Sequence, residues 1–250
     1  MSLKPRLLVT RFEPHASLLT SQLNSIGCFA IAQPLLTVNS MSDSSMVSSI
    51  TSGDFDIIIA ISGNAVKFAN QQMSDDWPDA TYVAVGQSTR KQLMDVTGQP
   101  VLCPESRFDS EGVLALDALK QINSKRILII CGKGGRDLLE MKLAERGAIV
   151  DLFQVYKRIK IDLNGHELVN NWQQGAINGV IISSIEILSQ LFTLVPSKDV
   201  KWLLGLTLYV PSQRVANHAY KLGAQHVVLL PSLKTEEVTE FFNLGNGHSV

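Results

Sequence analysis

The sequence predicts an α/β protein built from two similar parallel-sheet domains. Three observations lead there. Strand and helix patterns take turns along the chain, several strand segments are unbroken apolar runs, and the whole pattern occurs twice. Alternating strands and helices are the mark of a parallel α/β architecture. Unbroken apolar runs suit parallel strands covered by helices on both faces.

The candidate strands, in order, are "RLLVT" (6–10), "CFAIA" (28–32), "FDIIIAIS" (55–62), "TYVAVG" (81–86), "RILIIC" (126–131), "IVDLFQVY" (149–156), "NGVIIS" (178–183), "LTLYV" (206–210) and "HVVLLP" (226–231). Helical patterns lie between them. Leu19, Leu23 and Ile26 recur at i, i+4, i+7 and make one apolar face, and Val215, Ala219 and Leu222 repeat that spacing. Four helices stop at a glycine: Gly27, Gly98, Gly147 and Gly223. Glycine at that place accepts the left-handed conformation that closes a helix.

The repetition is the strongest of the three observations. Residues 7–36 resemble 127–156, with Gly27 and Gly147 in matching places. Residues 55–69 resemble 177–191, with Ser62 facing Ser184, and 82–106 resemble 208–232. With these units called A, B and C, the chain runs A-B-C-A-B-C. Three units in one order at nearly constant offset indicate a duplicated half. Two α/β domains with a cleft between them follow.

Composition bounds the function. The chain has 250 residues, 45% of them hydrophobic and 18% charged, which suits a globular protein with an ample core. A formal net charge of −1 gives no global electrostatic case for nucleic acid. Any anion site must use local charge or backbone N–H groups. Cys28, Cys103 and Cys131 stand in or beside apolar runs, and no pair has metal or redox spacing. They are expected to be small buried core residues. The opening "MSLKPRLLVTRFEP" is too short in apolar residues for a signal peptide, and no run reaches the length of a membrane span. The expectation is a cytoplasmic protein without a membrane partner.

The glycine-rich turn after "RILIIC" invites comparison with phosphate-binding loops. Gly132, Gly134 and Gly135 precede Arg136 and Asp137. The P-loop pattern fails, and the dinucleotide fingerprint lacks its third glycine. The turn can still expose N–H groups at a positive helix end, where a carboxylate fits as well as a phosphate. It can equally be a tight turn that needs glycine. Ser62, Thr89, Ser184 and Ser212 stand where strands hand over to helices. Each by itself reads as a helix cap. Their recurrence at strand ends in both halves also fits a polar ligand site, because parallel sheets bind ligands beyond the carboxyl ends of their strands. Such a site offers many donors and no strong base. The five histidines form no pair at metal-ligand spacing, and Ser183-Ser184 lacks the frame of a hydrolase nucleophile.

Nearly the whole chain resembles the uroporphyrinogen-III synthase family. The residues that carry the likeness are "LLVTR", "GCFAIAQPLL", "DIIIAISGNAVKF", "VAVGQSTRKQL", "SEGVLAL" (110–116) and "GGRDLLEMKLAERGAIVDLFQVYKR" (134–158). Ile61 and Gly63 stand where the family commonly has Thr and Pro, and Cys131 where an Arg is common. The resemblance implies two flavodoxin-like domains joined by two extended linkers, "PLLTV" and "YKRIK". One domain would be discontinuous, 1–35 plus 160–250, and the central domain would span 38–157.

The resemblance also implies a reaction. The substrate is the linear tetrapyrrole hydroxymethylbilane, with eight carboxylates. It loses its terminal hydroxyl and closes with inversion of ring D to uroporphyrinogen III, the precursor of haem and sirohaem. The proposed course runs through an azafulvene cation and a spirocyclic intermediate, with no cofactor and no metal. Tyr156 resembles the family tyrosine thought to assist departure of the hydroxyl; its plainer role is packing at a domain crossing. Substrate contacts are implied for Arg11, Ser62, Asn64, Ser88, Thr89, Lys133, Gly134, Gly135, Ser184, Ser212 and Arg214. Arg136 could also pair a carboxylate. A monomer is implied, in at most transient contact with the preceding pathway enzyme. Two other readings stay open on the residues alone. One is a two-domain anion-binding protein of periplasmic type, and the other is a nucleotide-using α/β transferase.

Overall fold

The computed structural model describes residues 5–73, 76–134 and 137–245. Among the described residues eleven strands run in chain order: β1 (Arg6–Val9), β2 (Phe29–Ala32), β3 (Leu36–Ser40), β4 (Ile57–Ala60), β5 (Thr81–Ala84), β6 (Val101–Leu102), β7 (Arg126–Gly132), β8 (Ile149–Lys160), β9 (Gly179–Ile181), β10 (Thr207–Val210) and β11 (His226–Leu229). The helices between them are α1 (His15–Ser25), α2 (Ser44–Thr51), α3 (Gly63–Met73), α4 (Gln87–Thr97), α5 (Ser110–Leu114), α6 (Leu138–Glu145), α7 (Gly165–Gln174), α8 (Ile185–Leu194), α9 (Val200–Leu204), α10 (Gln213–Lys221) and α11 (Thr235–Asn243). Among the described residues no helix is long and apolar enough to cross a membrane.

The chain clusters into two compact units. One comprises Met1–Thr37 and Ile159–Val250, the other Val38–Arg158. The first unit holds a five-stranded sheet in the order β11-β10-β9-β1-β2. All of its neighbouring strands pair in parallel. Numbered along the chain within the unit, that order is 2-1-3-4-5, the doubly wound flavodoxin-like arrangement. The second unit holds a six-stranded sheet, β3-β8-β7-β4-β5-β6, with parallel pairing from β8 through to β6.

The duplication read in the sequence is visible in this order. β7 and β8 correspond to β1 and β2, β4 to β9, and β5 and β6 to β10 and β11. Corresponding strands hold corresponding places in the two sheets, and only β3 lacks a counterpart. In each sheet an A unit from one half pairs with a B unit from the other: β1 with β9, and β7 with β4.

Both sheets are buried on both faces, which is why their strands are unbroken apolar runs. In β7, Leu128 and Ile130 enter one core while Ile127, Ile129 and Cys131 enter the other. In β1, Leu8 faces one core, Leu7 and Val9 the opposite one. Cys28 and Cys131 are buried, and burial pushes both thiols up to about 11. Cys103, which follows the two-residue strand β6, is only half-buried, contrary to the expectation that all three cysteines are core residues.

The helix-closing glycines have positive φ: Gly27 76°, Gly98 66°, Gly147 85° and Gly223 94°. The matched pair Gly27 and Gly147 gives a test. A Cβ on Gly27 would meet open space, whereas on Gly147 it would collide with the Asn123 side chain. Gly27→Ala should therefore cost only the left-handed penalty, about 1 kcal/mol. Gly147→Ala should cost more, as measured by denaturant unfolding of the two variants.

Candidate active site

A doubly wound sheet leaves a crevice beyond the carboxyl ends of the two strands where its order reverses. In the first unit these strands are β1 and β9, and in the second β7 and β4. The candidate residues gather around these two points, one group in each unit.

In the first unit, Thr10 locks the end of β1 to β9. Its N–H and its Oγ1 both donate to the Ile181 carbonyl, at 3.2 and 2.9 Å. Arg11 follows. Its Nη1 is buried without a hydrogen-bond partner among the described residues, and burial lowers its pKa below the ordinary guanidinium value. Nearby His15, at the start of α1, is also lowered, first by burial and then by the Arg11 charge, against an opposing effect of Glu13. A buried guanidinium nitrogen with no partner is costly, and a ligand carboxylate would relieve that cost. Across β9, Ser184 caps α8, its Oγ accepting the Ile187 N–H at 3.2 Å. Ser212 is the N-cap of α10, yet its hydroxyl makes no capping bond. Arg214 is exposed in the first turn of that helix.

In the second unit, Ser62 follows β4 and its Oγ accepts the Ala65 N–H at 3.1 Å, capping α3. Asn64 is exposed in the first turn of α3. On the adjacent strand, the Lys133 N–H donates to the Tyr156 carbonyl at 2.7 Å while its side chain is exposed. Gly134 turns with a φ of 78°. Gly135 and Arg136 lie outside the described residues. Ser88 and Thr89 stand one strand further along, in the first turn of α4, Ser88 exposed and Thr89 buried.

Tyr156 belongs to the core of the second unit and is only 5% exposed. Its ring lies 5.7 Å from that of Phe68, centroid to centroid, and its Oη is 3.3 Å from Ser62 Oγ. It packs over Gly132, where a Cβ would collide with the phenol ring. In the sequence Gly132 reads only as part of the glycine-rich turn and not as the seat of a ring, and nothing there marks Phe68. The available signal was a glycine ending a strand that is otherwise continuous and apolar.

The structure thus brings Ser62, Asn64, Lys133, Gly134 and Tyr156 together around the ends of β4 and β7, where Tyr156 within β8 pairs with Gly132, with Ser88 and Thr89 beside them after β5. It brings Arg11 and Ser184 together around β1 and β9, with Ser212 and Arg214 beside them after β10. The resulting chemistry is rich in donors. Hydroxyls, helix N-termini and a few cations suit carboxylates, and one phenol can donate a proton.

These features define a class: a duplicated, doubly wound α/β protein with a donor-rich site at each sheet's switch point. A family model described as "Uroporphyrinogen-III synthase HemD" matches residues 17–239. The chain is 36% identical to the uroporphyrinogen-III synthase of Escherichia coli (strain K12) over 228 residues, which cover 88% of this chain and 93% of that one. It is 34% identical to that of Proteus mirabilis over 195 residues, 75% of this chain and 97% of the relative. Two solved structures share the fold. A mutant uroporphyrinogen III synthase from the extremely thermophilic bacterium Thermus thermophilus superposes with a TM-score of 0.63 at 16% identity, covering 97% of this chain and 99% of that one. The enzyme from Helicobacter pylori 26695 gives 0.62 at 15% identity, covering 95% and 97%. This chain belongs to the uroporphyrinogen-III synthase family.

Proposed function

We propose that this protein is a hydro-lyase that closes hydroxymethylbilane to uroporphyrinogen III, with loss of water and inversion of ring D. The observation that carries the proposal is the 36% identity over 88% of the chain. The two donor-rich strand-end groups support it, because the substrate is a polycarboxylate. The same likeness disfavours the binding-protein and transferase readings. On this account the enzyme works in the cytoplasm as a monomer.

Each residue has a role on this account. Arg11, whose Nη1 lacks a partner, takes a substrate carboxylate. Lys133 and Arg214 take others, with Asn64, Ser88, Ser184, Ser212 and the N–H groups around Gly134 as neutral donors. Thr89, buried in its helix turn, shapes the site rim. A helix N-terminus contributes about 0.3–1 kcal/mol to a bound anion, so several act together. Tyr156 gives its proton to the terminal hydroxyl, which leaves as water while the pyrrole nitrogen lone pair forms the azafulvene cation. When the macrocycle closes, the proton lost from the attacked ring restores the phenol. The chemistry is intrinsically facile, so holding the last ring in one orientation matters more than a strong acid or base.

The test is to supply hydroxymethylbilane and resolve the uroporphyrinogen isomers. Excess type III supports the proposal, and type I alone refutes it. A second expectation concerns affinity. Carboxylates held by a few cations and exposed N–H groups are screened by salt. Substrate affinity should fall from low to physiological ionic strength in a binding titration, whereas a flat response would mean that shape and apolar contact dominate.

A further inference from the structure

Three features of the second unit determine where the Tyr156 hydroxyl lies. The first is a register slip. Along β8, Phe153 and Val155 face the same core as Leu128 and Ile130. Strict alternation would send Tyr156 to the opposite face. Between Cys131 and Gly132, however, the pairing with β7 skips one residue: Cys131 pairs with Gln154 and Gly132 with Tyr156. The skipped Val155 lets Tyr156 join it on the same face. Extra residues of this kind re-aim side chains.

The second feature is Gly132. A Cβ there would lie 2.5 Å from Tyr156 Cε2 and 2.9 Å from Oη, so the ring can occupy its place only over a glycine. The third is Ser62. Its Oγ accepts the Ala65 N–H at 3.1 Å and is 3.3 Å from Tyr156 Oη. The separation exceeds the optimum of about 2.7–2.8 Å for two hydroxyls, and such contacts tighten when a site is filled. The helix N–H already occupies one Ser62 lone pair, which fixes the hydroxyl beside the phenol.

Resting on the role proposed above for Tyr156, we infer that Ser62 is a positioning residue rather than a substrate contact: it donates its proton to the phenol oxygen. The phenol's own proton is then free for the departing hydroxyl. Gly132 and the register slip hold the ring where this pairing can form. The opposite polarity, phenol donating to serine, would leave Tyr156 no proton to deliver.

A double-mutant cycle on the full chain tests this, read as kcat and KM for type III formation. Ser62→Ala should lower kcat about tenfold, less than the roughly 10²–10⁴-fold that a general acid itself is typically worth, with KM within about twofold. In the Tyr156→Phe background the same change should cost less than about twofold, because Ser62 then has nothing to position. Ser62→Thr keeps both cap and hydroxyl and should recover most of the turnover. Gly132→Ala, if it folds, should fall to the level of Tyr156→Phe; if it does not, the Ser62 cycle decides. An equal Ser62→Ala loss in both backgrounds, or no recovery with threonine, overturns the positioning role while leaving the tyrosine's role intact. Wild-type turnover in Tyr156→Phe itself removes both.

Discussion

Tyr156→Phe should lose one to two orders of magnitude in turnover while keeping its fold and its substrate affinity. The ring of Tyr156 is core, packed with Phe68 and over Gly132, and phenylalanine preserves all of that packing. What it removes is one hydroxyl and its contact with Ser62 at 3.3 Å. A single neutral hydrogen bond contributes about 1 kcal/mol to stability, and Ser62 keeps its bond to the Ala65 N–H. The catalytic loss is larger because a positioned general acid is typically worth about 10²–10⁴-fold. The azafulvene forms readily without help, so the effect should fall at or below the lower end. Type I product should accumulate as unconverted substrate closes by itself. Steady-state assays with isomer resolution, beside a thermal melt, check this. Turnover within about twofold of wild type would make Tyr156 a packing residue only.

The second large effect concerns how the chain is divided. A fragment of residues 38–157 should unfold cooperatively by itself, whereas residues 1–125 should not. The first contains every buried residue of the two cores of the second unit, which run from Ile50 to Tyr156. The second lacks β7, the strand paired to β4 through Ile57–Ile127, Ile58–Leu128, Ile59–Ile129 and Ala60–Ile130. It also lacks β9, which pairs with β1. Burying one large aliphatic side chain contributes about 1.5–3 kcal/mol. Losing Ile127, Leu128, Ile129 and Ile130 together therefore consumes about the whole stability of an ordinary domain, roughly 5–15 kcal/mol. Denaturant melts followed by circular dichroism decide it. A sharp transition in 1–125 and none in 38–157 would show that the chain is cut simply near 125.

The elements that were legible in the sequence are those whose burial pattern is local. "RILIIC" and "FDIIIAIS" read as strands because both faces of β7 and β4 are covered, which leaves an apolar side chain at nearly every position. Gly27, Gly98, Gly147 and Gly223 marked helix ends because the left-handed turn is itself a local requirement. β3 reads as part of a linker. It lies at the edge of its sheet with only Leu36 buried, so no apolar pattern betrays it. β8 runs on to Lys160, through residues that also read as a linker, because it continues alongside β3.

The site was legible only in part, for the same reason. Ser62, Ser184 and Ser212 could be placed at strand ends, since a hydroxyl before a helix is a local signal. The approach of Tyr156 to Ser62 and Gly132 could not. It depends on one skipped residue in the pairing of β7 with β8, which no spacing within either segment encodes. The unpartnered Nη1 of Arg11 is likewise a property of the packed structure. In the sequence nothing sets Arg11 above Arg214, which is exposed.

The measurement that bears most directly on the account is the isomer ratio of uroporphyrinogen as enzyme is titrated against a fixed amount of hydroxymethylbilane. Spontaneous closure gives type I, so without enzyme that isomer should dominate. With rising enzyme the type III fraction should climb until nearly all product is type III, because capture by the protein outruns free closure. A ratio that stays at type I at every enzyme concentration would contradict the account, however tightly the tetrapyrrole bound.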